Sequence, residues 1–372
     1  MNFLMSVGPT LIVLGVLITI HEFGHFLACR LTRVKVEKFS IGFGPEILHW
    51  QGNETRYAIS LFPLGGFVKP AGESYSELPN GEEPKPGEYL AAPLLSRIFI
   101  VCAGVLMNYF LAFVLFAGIY MMGRPVPGTT IGTFVSGYPA ESSGLAKGDK
   151  VLKIGDKTVK TWSDMTSAIE TSGAGPLVLE VERKNLAGLA STFSLSVTPK
   201  VEEAPDVFGK KMSVRKLGIT PSPEAAIFER YGFKESIVHA ANTTVYMTVM
   251  THKAIFFMAT GRMSLKAVSG PVGIVSMAGD AARMGVTYVL QLMATLSISL
   301  AVINLLPVPA LDGGHLLFLL IEAVRRKRVS LVFQERVTQA GFAVLLVLMA
   351  FLVFNDLNNL NVFARIRGLF GS

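Results

Sequence analysis

Cysteine is all but missing from this 372-residue chain: Cys29 and Cys102 are its only two, and both lie in apolar stretches. That excludes a disulfide framework and any paired-cysteine metal cluster, and leaves two small buried side chains. Charge is scarce too, at 16% Asp, Glu, Lys and Arg, where soluble domains carry about 25%. With 51% hydrophobic residues and a mean hydropathy of +0.48, the composition points to a membrane protein. The net charge of +7 does not mark a nucleic-acid binder. Eight Lys and Arg run from Arg30 to Arg97, just behind the first apolar stretch, and Arg325, Arg326, Lys327 and Arg328 form a second cluster. Residues 125–222, by contrast, are nearly balanced at 12 basic to 10 acidic. Basic clusters beside apolar spans are the mark of cytoplasmic loops.

What is present is long apolar runs. Residues 4–29 are long enough to cross a bilayer, since about 20 residues span its hydrocarbon core. No basic residue precedes them and Arg30, Arg33, Lys35 and Lys38 follow, which puts the N-terminus outside. Further spans are expected at 98–122, 287–306 and 337–354. That makes about four transmembrane helices in a polytopic α-helical membrane protein, with both termini outside. Between the first two, residues 39–69 alternate apolar and polar around the turn-like Gly52-Asn53 and read as a membrane-associated β-hairpin on the cytoplasmic side. Residues 73–90, rich in Pro, Gly and Glu, read as a solvated loop. Residues 125–222 change character: strand-like runs at 130–135, 150–154, 177–182 and 192–197 and one helical stretch at 163–171 predict an inserted α+β domain outside the membrane. Residues 224–260 are amphipathic, interrupted by His239, Asn242, His252 and Lys253, and read as an interfacial helix; Gly270-Pro271-Val272-Gly273 then reads as a turn. The resulting divisions are 1–124, 125–222, 224–286 and 287–372.

The first span carries His21-Glu22-Phe23-Gly24-His25. Residues four apart share a helix face, so both imidazoles can reach one ion, and zinc suits imidazole ligands. Glu22, about 100° further round the helix, can address water rather than metal and act as general base. Ionisable groups inside a span are costly and usually functional; the alternative is a structural trio hydrogen-bonded to neighbouring helices. A catalytic zinc usually has three protein ligands. Asp312, which follows the proline-broken segment Asn304-Leu-Leu-Pro-Val-Pro-Ala-Leu, is one candidate for the third, although its carboxylate could instead cap a helix at 314–323. His315 is the rival ligand.

H-E-F-G-H in an early span with N-x-x-P-x-P-x-L-D-G-G in a later one resembles the site-2 protease family, and within it the bacterial RseP-type intramembrane proteases. The likeness extends to Ile41-Gly42-Phe43-Gly44-Pro45, Gly104 and Asn108, Ser269-Gly270-Pro271 and Phe354-Asn355-Asp356. It implies that His21, His25 and Asp312 ligate Zn2+ and that Glu22 activates water. Asn304 would hold the substrate backbone or stabilise developing oxyanion charge. Residues 41–69 would form a re-entrant β-structure whose edge pairs with an unwound substrate, with Gly42, Phe43 and Gly44 close to it. Ala140–Asp149 and Leu217-Gly218-Ile219 resemble a circularly permuted PDZ domain, the latter three residues belonging to its groove, which would bind a peptide or protein ligand or act as a size filter. The chain departs from the tandem-PDZ arrangement in having room for one such domain, and has Val105 where the family often has proline.

The resemblance implies an intramembrane zinc endopeptidase of a bacterial inner membrane, acting on single-pass transmembrane proteins such as anti-sigma factors or on remnant signal peptides, with lipid and protein but no nucleic acid as partners. Two other classes compete. A non-catalytic membrane-anchored PDZ scaffold accounts for 125–222 and leaves the His, Glu and Asp residues without purpose. A metal transporter requires polar residues spread along a path through several spans, whereas here they gather at one depth.

Overall fold

The computed structural model describes residues 3–73, 83–173, 175–185, 188–205 and 211–359. Part of the expected 73–90 loop, residues 74–82, and the tail 360–372 lie outside these. Two compact units divide the chain: Met1–Ile119 with Lys234–Ser372, and Tyr120–Phe233.

The first unit begins with helix α1 (Phe3–Leu31), then strands β1 (Val36–Gln51) and β2 (Arg56–Pro70), then helix α2 (Leu94–Met122). The strands are longer than the alternation suggested because each bends and continues. Residues 38–41 lie between 66–69 on one side and 56–59 on the other, while 46–51 pair with 56–60. Two glycines make the bend in β1, Gly42 at φ 91° and Gly44 at φ 88°, a region that L side chains avoid. The sheet is clamped by Glu46, which pairs with Arg56 and Lys38, each at 2.7 Å; the Arg56 hydrogen bonds, then the Lys38 one, hold its carboxyl down to about 2.

The second unit holds β3 (Arg124–Pro127), β4 (Ile131–Phe134), β5 (Lys150–Ile154), β6 (Lys157–Thr158), helix α3 (Trp162–Glu170), β7 (Leu177–Lys184), β8 (Ala190–Val197), β9 (Lys200–Pro205), β10 (Lys211–Lys216), β11 (Ile219–Pro221) and β12 (Ala226–Glu229). Four strands form one sheet in the order β6-β5-β7-β8. Val151, Leu179 and Val181 of this sheet share one buried core with Ile131, Met165 and Leu217. Thr161 and Asp164 close a reciprocal capping box at the start of α3, which satisfies two orphan backbone donors. Asp149 is wholly buried and held by Arg183 at 2.7 and 2.8 Å. At the base, β3 and β12 pair antiparallel, with Arg124 bonded to Glu229 at 3.0 Å.

The chain then returns to the first unit through α4 (Phe233–Ala259), α5 (Pro271–Met284), α6 (Val286–Leu305), α7 (Asp312–Arg325) and α8 (Leu331–Asn359). Four helical stretches, Ser6–Leu31, Leu94–Met122, Val286–Leu305 and Val332–Asn359, are long and apolar enough to cross a bilayer. Two expectations need correction. Residues 224–232 are not part of the α-helix, because a short 3-10 turn at Pro223–Ala225 and then β12 precede α4. The Gly-Pro-Val-Gly segment does not end as a turn but opens α5, with proline at its first position, where the missing N–H costs nothing. Asp356 on α8 makes that start stable: its buried carboxylate accepts the Gly270 and Gly273 N–H groups at 2.9 and 2.8 Å.

Helix contacts inside this unit are close where glycine allows. Val13 and Leu17 of α1 pack with Met293 of α6, and Ala28 and Cys29 pack with Ile100 and Ala103 of α2. A Cβ on Gly24 would collide with the Ala103 carbonyl, so the α1 and α2 backbones meet beside the histidines.

Candidate metal centre

The centre grows from one face of α1. His21 and His25 stand four residues apart, their rings edge-on with centroids 4.8 Å apart, and their Nε2 atoms are 3.2 Å from each other. The loop after α6 brings the third group. Pro307 and Pro309 interrupt the helix, Ala310 turns at φ 78°, and α7 starts at Asp312 with Leu311 in the capping position. The Asp312 carboxylate therefore does not cap the helix. Its Oδ2 lies 3.1 Å from His21 Nε2 and 3.5 Å from His25 Nε2. Two glycines permit this start: a Cβ on Gly313 would strike the Leu305 and Leu306 carbonyls, and one on Gly314 would lie 2.6 Å from the Val308 oxygen.

These three donor atoms fit a zinc ion. Ligands at about 2.0–2.1 Å in a tetrahedron are about 3.3 Å apart, and the observed edges are 3.1, 3.2 and 3.5 Å. Asp312 Oδ2 is buried and makes no hydrogen bond, which a carboxylate oxygen inside a protein tolerates poorly without a cation. Among the described residues these three form the one His/Cys/Asp/Glu group that could hold a metal. His315 is not in it and lines the adjoining cavity of about 540 Å³ with Glu22, Arg97 and Glu322.

The surroundings hold the imidazoles. His25 Nδ1 is 2.8 Å from the Ile100 carbonyl, and His21 Nδ1 is 3.2 Å from the Asn108 carboxamide nitrogen. Gly104 of α2 leaves the space for both rings: a Cβ there would collide with His25 Nε2 and approach His21 Cε1 to 2.7 Å. Asn304, in the last turn of α6, has its amide nitrogen 3.4 Å from His21 Nε2.

Glu22 reaches the sheet, where its Oε2 accepts the Val68 N–H at 3.2 Å and Gly66 passes beside its Cγ, and it lines one cavity with His25 and Asp312. Val68 and Gly66 were missed in the sequence, where nothing but their place in an apolar run marks them. Gly42, Phe43 and Gly44 sit at the bend of β1. Phe43 stacks on Phe67 with centroids 6.2 Å apart and is half exposed, one strand removed from the residues that touch Glu22.

In the second unit, Leu217 is buried, Gly218 turns at φ 78° and Ile219 starts β11. They border a groove of about 430 Å³ with Met165 and Ile169 of α3 and Val214 of β10.

Residues 9–348 match the model of peptidase family M50. A protein of Rhizobium meliloti bearing a zinc metalloprotease name is 33% identical, over 96% of this chain and 97% of that relative. A similarly named protein of Rickettsia conorii is 34% identical over 96% and 99%. The metalloprotease MmpA of Caulobacter vibrioides is 31% identical over 99% of each chain.

Proposed function

Because this chain belongs to peptidase family M50 and is a multi-pass zinc metalloprotease of the site-2 type, we propose that His21, His25 and Asp312 hold its zinc and that Glu22 is the general base. One observation carries this reading. Three donor atoms from α1 and the start of α7 converge at 3.1–3.5 Å, and the carboxylate oxygen among them has no hydrogen bond. Zinc, when bound, lowers the pKa of coordinated water and draws charge from the scissile carbonyl.

The rest falls to the protein. Glu22, one residue from His21, takes the proton of the attacking water and passes it to the leaving amine. The Asn304 amide donates to the substrate carbonyl as negative charge develops on it. The substrate, a single-pass membrane protein or a remnant signal peptide, unwinds and lies along the sheet. A helical peptide bond is shielded and already hydrogen-bonded, whereas an added strand exposes it. Residues 66–69 are an edge of that sheet, paired on one side with 38–41, and Pro70, lacking an N–H, ends the edge. Gly42, Phe43 and Gly44 shape its outer turn.

The second unit is read as one PDZ domain, with Leu217, Gly218 and Ile219 in its groove, which takes an extended peptide or screens substrates by size. The enzyme belongs in a bacterial inner membrane, with Arg30, Arg33 and the 325–328 cluster cytoplasmic and the PDZ domain and both termini on the other side.

The test is Glu22→Gln in the purified, detergent-solubilised full chain with a single-span substrate. Zinc content is expected to match wild type while cleavage falls by about 10²–10⁴-fold. Undiminished cleavage would remove Glu22 from its role.

A further inference from the structure

The second span carries a carboxamide that the reaction as described does not use. Asn108 is completely buried, in a helix of apolar residues. Its Nδ2 is 3.2 Å from His21 Nδ1, and its Oδ1 is buried with no hydrogen-bond partner. Its own backbone is tied down, since the buried Ser297 hydroxyl of α6 donates to the Asn108 carbonyl at 2.8 Å.

A neutral imidazole has one N–H. His21 turns Nε2 toward His25 and Asp312, so the proton belongs on Nδ1, and Nδ1–H requires an acceptor. A carboxamide nitrogen is a donor and cannot serve. Its oxygen can, and a half-turn of the amide exchanges the two atoms at the same position. That half-turn gives His21 Nδ1–H an acceptor and relieves the orphaned carbonyl oxygen at once. His25 already has the equivalent arrangement, with Nδ1 2.8 Å from the Ile100 carbonyl.

We propose that Asn108 is a positioning residue for the zinc centre: its side-chain oxygen accepts the His21 Nδ1–H and fixes the tautomer and ring orientation that leave Nε2 free for the metal. Partners of this kind typically change metal affinity by about 10–100-fold. The inference rests on His21 being a zinc ligand, and the experiment separates the two ideas.

Zinc-loaded full-length protein in detergent is challenged with a chromophoric chelator, and zinc dissociation is compared for wild type, Asn108→Leu, Asn108→Asp and His21→Ala. The expected order is that the Leu variant, which keeps the volume and loses the acceptor, releases zinc about 10–100-fold more readily. The Asp variant, which keeps an acceptor at Nδ1, holds zinc like wild type. A residue that merely fills space predicts the reverse, because a buried carboxylate would harm packing more than leucine. Leu and wild-type proteins holding zinc equally, or the Asp variant losing it, would overturn the proposal. Should the Leu variant fail to fold, the Asp variant alone decides by the same criterion. His21→Ala retaining zinc at full stoichiometry would instead remove the ligand assignment.

Discussion

Gly104 shows how little freedom single residues have around the proposed zinc ligands. The absent side chain is the space in which two imidazoles face one another. Gly104→Ala pushes a methyl group into His25 Nε2, and overpacking of this kind costs about 1–3 kcal/mol; here the side chains that must yield are the two proposed ligands. Bound zinc measured by atomic emission is therefore expected to fall well below one equivalent in Gly104→Ala, with the protein still folded by circular dichroism. Full zinc occupancy in that variant would mean the rings have another way to meet. His21, Glu22 and His25 were legible because three residue types at fixed helical spacing point to one chemistry. Asp312 was not separable from His315, or from a helix cap, by residue type alone. Only the proline loop and the glycines behind it determine which way its carboxylate turns. Asn108 stood out as part of a motif without a role, since its partner lies on a different helix.

At the scale of elements, α7 must stay where it delivers Asp312, and an ion pair helps hold it. Arg97, at the start of α2 and 5% exposed, grips Glu322, ten residues after Asp312, at 2.5 and 3.1 Å. Arg328 stands 3.7 Å from the same carboxylate and also donates to the Leu90 carbonyl. Breaking a buried pair from one side leaves an unpaired charge and typically costs about 3–5 kcal/mol, whereas removing both partners is far milder. Arg97→Met is thus expected to lower the unfolding temperature in detergent more than Arg97→Met with Glu322→Met. The opposite order would mean that the pair contributes nothing to holding α7. The sequence does not show this pair, because ions so distant along the chain carry no spacing signal. The same holds for α5, whose glycine-proline start resembles a turn until Asp356 supplies the carboxylate that stabilises it.

The whole molecule is a membrane unit interrupted by a second compact unit. Span number and approximate position were legible from hydropathy, because lipid imposes a minimum length on any crossing helix. Strand limits in 36–70 were not, because the bends at Gly42 and Gly44 let each strand serve two neighbours. The second unit has its own core, and β3 and β12 join its two ends. A fragment of residues 120–233 is accordingly expected to fold alone, with a cooperative thermal transition and dispersed amide resonances. A fragment that stays unfolded would mean its core is insufficient without the rest of the chain.

Two of the three groups that converge at the centre leave the ribosome early, on α1, and the third arrives only with α7. A nascent chain stalled anywhere before Asp312 carries the histidines and Glu22 through the bilayer but has no carboxylate to complete the set. On the proposed ligand set, an aborted translation product would lack one of its three zinc ligands, and the centre would be complete only once the late helices have been made and have docked.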